Sequence, residues 1–177
     1  FHVGGLNIQT VPALLAGAEI ILHQKFDAES FFDALTQHRP TLTLLVPAVM
    51  AALVAHPRWK GADLSSLRAA GAGSSIVPLD LIEAFQSRGV PIQQVYGSTE
   101  SAPIAIAQSR DEAWASPGSI GRPAAECEAR IGPGGEIQLR GPNLMTGYLN
   151  DPEATAESFS EGWFRTGDIG RVDDDGR

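Results

Sequence analysis

Cysteine is nearly absent: Cys127 is the only one in 177 residues. A single thiol excludes an intramolecular disulfide and a Cys-rich zinc site. Lysine is also scarce, with Lys25 and Lys60 the only two among 13 basic residues, so chemistry that needs an ammonium group has two candidates in this chain. No apolar run reaches the roughly 18 residues of a membrane span, and no basic-then-apolar leader opens the chain. Basic residues are outnumbered by 21 acids, a formal net charge of -8 that makes a nucleic-acid backbone a poor partner. What remains is globular composition, 43% hydrophobic and 19% charged, and the expectation is a soluble cytoplasmic protein. The opening on Phe1 and the close on Asp173-Asp174-Asp175-Gly176-Arg177, a turn signal with nothing after it, suggest a piece of a longer polypeptide. The acidic run lacks the further oxygen ligands of a calcium loop.

Along the chain, hydrophobic periodicity predicts a helix over residues 7–16, ended by Gly17, and a short buried strand at Glu19-Ile20-Ile21-Leu22-His23. Asp27 caps a helix carrying Phe31, Phe32 and Leu35 and stopping before Pro40. Thr41 to Val46 reads as a strand, and Pro47 opens an apolar helix to His56. Leu67 to Ala72 and Val90 to Tyr96 are further strands, separated by a helix marked by Leu79, Ile82 and Phe85. This alternation predicts an α/β fold, a layered and mostly parallel sheet with flanking helices over residues 1–117. From residue 118 to 177, Gly, Pro and alternating runs such as Glu136-Ile137-Gln138-Leu139-Arg140 predict a small β-rich, barrel-like unit, interrupted by a capped helix at Asp151-Pro152-Glu153.

In an open α/β sheet, ligands lie beyond the carboxyl ends of the strands. The first such end is Gly71-Ala72-Gly73-Ser74-Ser75, which fits either a tight turn or a close backbone approach to a ring or phosphate. A dinucleotide fingerprint is disfavoured, because its third glycine position holds Ile76. The second end is Tyr96-Gly97-Ser98-Thr99-Glu100-Ser101. There an aromatic ring can stack on a base, a hydroxyl can donate to a phosphate oxygen, and a carboxylate can take magnesium. An ordinary polar strand-to-loop transition fits the same residue types. The third stretch is Gly162-Trp163-Phe164-Arg165-Thr166-Gly167-Asp168. Asp168 there either caps a turn or accepts hydrogen bonds from the two hydroxyls of a ribose.

Taken together, these stretches resemble the AMP-forming adenylating enzymes, which include acyl-CoA synthetases, peptide-synthetase adenylation domains and luciferases. Phe1-His2 with Gly4-Gly5 looks like the start of the acyl-pocket motif, and Tyr96-Gly97-Ser98-Thr99-Glu100 like the Tyr-Gly-x-Thr-Glu signature. Gly118-Ser119-Ile120-Gly121-Arg122-Pro123, then Gly135-Glu136-Ile137 with Arg140-Gly141-Pro142, Gly147-Tyr148, Pro152-Glu153-Ala154-Thr155 and the Trp163–Asp168 stretch continue the series in order.

The resemblance implies roles. Gly73, Ser74 and Ser75 would face the adenine through their backbone, although the family more often has Ala-Pro there. Tyr96 would pack on the adenine beside Gly97, Thr99 would hydrogen-bond the α-phosphate, Glu100 would bind Mg2+, and Asp168 would hold the ribose hydroxyls. Thr99 and Glu100 would be the catalytic pair. His2, Val3, Ser98, Ala102 and Pro103 would line the substrate pocket, with packing under a helix the alternative for His2. The implied reaction joins a carboxylic acid to ATP, giving an acyl adenylate and pyrophosphate, and coenzyme A then displaces AMP. His2 in place of the Asp of amino-acid-activating relatives, and Ser98 in place of their Pro, favour an acid without an amino group. An acyl- or aryl-CoA ligase is the expectation, with an amino-acid adenylation domain or a non-catalytic nucleotide-binding module as alternatives. The family's lysine-bearing phosphate loop and its C-terminal domain, with the adenylation lysine, match nothing here. They are expected in the remainder of the same polypeptide, leaving this stretch inactive alone.

Overall fold

The computed structural model describes residues His2–Arg177, so Phe1 of the opening motif lies outside the described residues. The chain builds two sheets in series. The first has the order β1-β2-β3-β4-β5. Its strands are Leu42–Leu45, Ala69–Ala72, Ile92–Tyr96, Ile106–Ala107 and Arg122–Pro123. β1, β2 and β3 pair in parallel, whereas β3, β4 and β5 pair antiparallel. The second sheet is fully antiparallel, with the order β6-β7-β9-β8. Its strands are Glu128–Ile131 (β6), Glu136–Arg140 (β7), Phe159–Ser160 (β8) and Trp163–Ile169 (β9).

Local chemistry explains the helices. A π-helical segment, Gly4–Thr10, runs into α1, Val11–Leu15, and the left-handed Gly17 follows it. α2, Ala28–Gln37, starts where the Asp27 carboxylate accepts the Ser30 N–H at 2.8 Å, satisfying one of the free amides of the first turn. α3, Pro47–Ala55, and α6, Pro152–Ser158, both carry proline in the first turn, where no donor is lost. α4, Leu79–Gln86, buries Leu81, Ile82 and Phe85. These faces, with Phe32, Leu35, Met50 and Leu53, form the core against the parallel strands. A second core joins Ala105, Ile106, Cys127, Ile137, Leu139 and Phe164, and Tyr96 packs against it from the end of β3.

Four features differ from the sequence reading. The first helical segment begins at Gly4, ahead of residue 7, and buries none of its residues. Glu19-Ile20-Ile21-Leu22-His23 forms no strand, and Leu22 is 80% exposed. A strand is held by ladder bonds to a neighbour, and among the described residues the only ladder β1 makes is with β2. A short helix unforeseen from the periodicity, α5 at Arg110–Ala115, opens on a capping box in which Ser109 and Glu112 each accept the other's backbone N–H. The change of texture at residue 117 precedes the change of sheet, which falls between Pro123 and Glu128. No helix among the described residues is long and apolar enough to cross a membrane.

Candidate active site

The parallel strands deliver their carboxyl ends to one edge, and glycine lets the segments beyond them crowd together. A Cβ on Gly73 would sit 2.5 Å from the Val95 carbonyl oxygen, and one on Gly97 would sit 2.1 Å from that of Pro103. Both distances are shorter than real contacts allow, so only glycine fits at either place. After Gly97 the chain makes one tight turn, Thr99–Ser101, whose Ser101 hydroxyl is fully buried and accepts the Ser98 N–H at 2.8 Å.

The segment that follows β7 closes over this turn. The Met145 N–H donates to the Glu100 carbonyl at 2.8 Å, and the Asn143 side-chain amide donates to the Ser101 carbonyl at 3.1 Å. Two side-chain bonds cross the same seam. The Tyr96 phenol donates to Asp168 Oδ2 at 2.7 Å, and the Tyr148 phenol donates to Glu100 Oε1 at 3.0 Å. A cleft of about 140 Å³ lies between them, and Tyr96, Gly97, Ser98, Glu100, Tyr148 and Asp168 all line it. Leu139, Phe164, Arg165 and Thr166 complete its wall from β7 and β9.

The electrostatics follow from these contacts. Burial pushes the Tyr96 phenol far above its ordinary pKa, and the Asp168 carboxylate adds to that, so it stays a hydrogen-bond donor. Glu100 moves the other way. Ser98, a backbone donor and the Tyr148 phenol hold its carboxyl below the usual glutamate value against the effect of burial. Tyr148 is raised in turn, chiefly by its bond to Glu100. Burial raises Glu136 as well, but donors from Gln138, Arg165 and Gly167 outweigh it and leave that carboxyl lowered. The cleft therefore presents one acidic group at each end, an aromatic wall and the guanidinium of Arg165.

Of the residues singled out from the sequence, Tyr96, Gly97, Ser98, Glu100 and Asp168 meet at this cleft. Gly73 is buried against β3, with Ser74 and Ser75 exposed just beyond it, and none of the three lines the cleft. Thr99 is exposed on the outer side of its turn and is likewise outside the lining, as are Ala102 and Pro103. His2 and Val3 start the first helical segment, where His2 Nδ1 accepts the Gly4 N–H at 3.1 Å. In the sequence, Tyr148 and Arg165 stand out only as members of motifs. Their place in the wall depends on the second sheet folding onto the first, and Tyr148 is 48 positions from its partner.

A magnesium ion fits the donor set at Glu100. Tyr148 engages Oε1 at 3.0 Å, Ser98 also supports the carboxylate, and Glu100 faces the cleft as one of its lining residues. No cluster of three or more His, Cys, Asp or Glu side chains suited to a metal occurs among the described residues. Magnesium commonly takes one or two carboxylates and completes its shell with water and substrate phosphates, which is what a single carboxylate here provides for.

The AMP-binding enzyme family model matches residues 1–149. The chain belongs to that family. An indoleacetate–CoA ligase of Aromatoleum aromaticum is 52% identical over 186 residues, covering 99% of this chain and 36% of that protein. A feruloyl-CoA synthase of an Amycolatopsis species is 41% identical, covering 99% and 38%. The chain thus spans little more than a third of the curated relatives it matches. Among solved structures, o-succinylbenzoate CoA synthetase of Bacillus subtilis in complex with its acyl-adenylate intermediate superposes with a TM-score of 0.86 at 30% identity, covering 99% of this chain and 37% of that one. The same enzyme in complex with ATP and a magnesium ion gives 0.85 at 30% identity, covering 99% and 38%. The chain has the α/β architecture of adenylating enzymes, a parallel-containing sheet flanked by helices beside an antiparallel sheet.

Proposed function

We propose that this chain is the nucleotide-gripping part of a cytoplasmic, AMP-forming acid–CoA ligase, with residues 1–117 and 118–177 as its two walls. The observation that carries the reading is the meeting of Tyr96 and Glu100, from the stretch that ends β3, with Asp168 of β9 at one cleft. Tyr96 offers its ring to the adenine, with the Gly73-Ser74-Ser75 backbone at the edge of the base. Asp168 takes the ribose hydroxyls through the carboxylate that Tyr96 orients. Thr99 donates to the α-phosphate once nucleotide brings the turn into contact, and Glu100 is the metal carboxylate. Magnesium, when bound, neutralises phosphate charge. The rest is positioning, which supplies much of the acceleration in phosphoryl and nucleotidyl transfer.

The acid's carboxylate oxygen attacks the α-phosphorus and pyrophosphate leaves. The sulfur of coenzyme A then attacks the acyl carbonyl and AMP leaves. His2, Val3, Ser98, Ala102 and Pro103 border the acid, and their small or apolar character suits an apolar substrate. The names of the relatives, which include indoleacetate and feruloyl, favour an aromatic acid over a fatty acid. The phosphate loop and the C-terminal domain belong to the remainder of the polypeptide, and this stretch alone does not turn over. The test is acid-dependent exchange of pyrophosphate into ATP by the full-length protein, compared across aromatic and fatty acids, followed by thioester formation with coenzyme A. AMP binding without acid-dependent exchange would mark a nucleotide-binding module instead.

A further inference from the structure

The edge of the cleft that carries Asp168 is an irregular piece of strand. Glu136 of β7 pairs with Ile169 of β9, and Gln138 pairs with Arg165. Two steps along β7 thus face four along β9, and β9 holds two surplus residues within the stretch 166–168. Bulges of this kind bend a strand, re-aim its side chains and recur beside active sites. Surplus residues lose their ladder partners, so their amides must be satisfied some other way. Side chains do it here. The Gly167 N–H donates to Glu136 Oε1 at 3.1 Å, and the Asp168 N–H donates to Thr166 Oγ1 at 3.1 Å. Thr166 Oγ1 in turn donates to the Ile137 carbonyl at 2.7 Å. The other oxygen of Glu136 accepts from Arg165 Nε and Gln138 Nε2, each at 3.3 Å. One carboxylate, its side chain only 12% exposed, therefore clamps the bulge at its entry and at its middle.

Glu136 is not among the residues that line the cleft. Its effect on a ligand must pass through Asp168, the residue that follows Gly167. The Tyr96 phenol engages Asp168 Oδ2, and among the described residues Oδ1 takes no side-chain donor. A sugar diol offers two hydroxyls at fixed spacing, so a carboxylate can serve both only at the right angle. Gly167 sits at φ +75°, the left-handed region in which glycine is unstrained, and without an acceptor for its N–H the turn is free to relax.

We propose that Glu136 is a positioning residue that sets the angle of Asp168 and, through it, the preference of the cleft for a ribonucleotide over its 2′-deoxy counterpart. This rests on Asp168 being the ribose carboxylate. A site built to hydrogen-bond a hydroxyl rejects the analogue that lacks it, because the acceptor is then left without its donor.

The test is calorimetric binding of AMP and of 2′-deoxy-AMP to the full-length protein and to its Asp168→Ala, Glu136→Ala, Glu136→Asp and Glu136→Gln variants, with melting temperature recorded for each. Asp168→Ala is expected to erase the AMP preference. Glu136→Ala is expected to cut it by about tenfold, with affinity for 2′-deoxy-AMP nearly unchanged. Glu136→Asp withdraws the carboxylate from Gly167 while keeping the charge, and reads the same loss should the alanine variant fail to fold. Glu136→Gln keeps an acceptor for Gly167 and should restore part of the preference. If Asp168→Ala erases the preference while Glu136→Ala or Glu136→Asp retains it, the positioning role is refuted. Equal weakening of both nucleotides at an unchanged ratio would show a structural role only and refutes it too. If Asp168→Ala itself keeps the preference, the ribose assignment fails and this proposal falls with it.

Discussion

Replacing Tyr96 by phenylalanine removes one atom from the cleft and leaves the ring. The lost interaction is the phenol's 2.7 Å bond to Asp168 Oδ2. A hydrogen bond to a charged partner contributes roughly 1.5–3 kcal/mol when both groups are buried. Here the phenol is half-buried and the carboxylate is exposed, so solvent competition brings the figure to about 1 kcal/mol. That corresponds to about fivefold weaker AMP binding. Tyr96→Ala also removes the stacking surface, worth about 1–3 kcal/mol per base, for a total of about 2–4 kcal/mol or roughly 30- to 1,000-fold. The assay is calorimetric titration of the full-length protein with AMP, run as a double-mutant cycle with Asp168→Ala. Because the bond joins those two residues, the cycle should return a coupling of about 1 kcal/mol. Strict additivity, or AMP affinity unchanged in both Tyr96→Phe and Asp168→Ala, would refute the claim that the pair grips a nucleoside together.

Glu100→Gln should raise the magnesium concentration needed for ATP binding while leaving metal-free AMP binding close to wild type, measured by titrating magnesium at fixed nucleotide. The folded pKa of Glu100 is depressed below its ordinary 4.5, so the stability it contributes is present above that value and is lost as pH falls through the lower folded one. Magnesium-dependent ATP binding should accordingly hold at pH 5 and fail only in stronger acid, and a midpoint at or above the ordinary glutamate value would contradict the geometry. Gly97→Ala should destabilise the protein by about 3 kcal/mol or more, because its methyl meets the Pro103 carbonyl 2.1 Å away; a variant with wild-type melting temperature and AMP affinity would disprove that packing.

Much of the fold was legible because its signals are local. The Asp27 cap, the prolines at 47 and 152 and the alternating run at 136–140 each act within one turn or one strand pair. The Ser109–Glu112 box was equally local, and attention to capping would have found α5. Glu19–His23 misled because an apolar run reports a wish for burial and says nothing of a ladder partner. The residues of the site were legible through the order of their motifs, yet which atoms face the cleft was not. Thr99 shares its turn with Glu100, and Gly73 follows the neighbouring strand β2, yet neither lines the cleft. Tyr148 enters only through a contact that closes over 48 residues, a distance at which periodicity carries no information.

The two phenol–carboxylate bonds run in opposite senses across the seam. One starts at the end of β3 and ends on β9, and the other starts in the segment after β7 and ends in the turn after β3. Any occupant that touches both acids is then a rivet through two plates. Mass action on such an occupant stabilises both plates at once, so a chain that melts in two steps when empty should melt in one when filled.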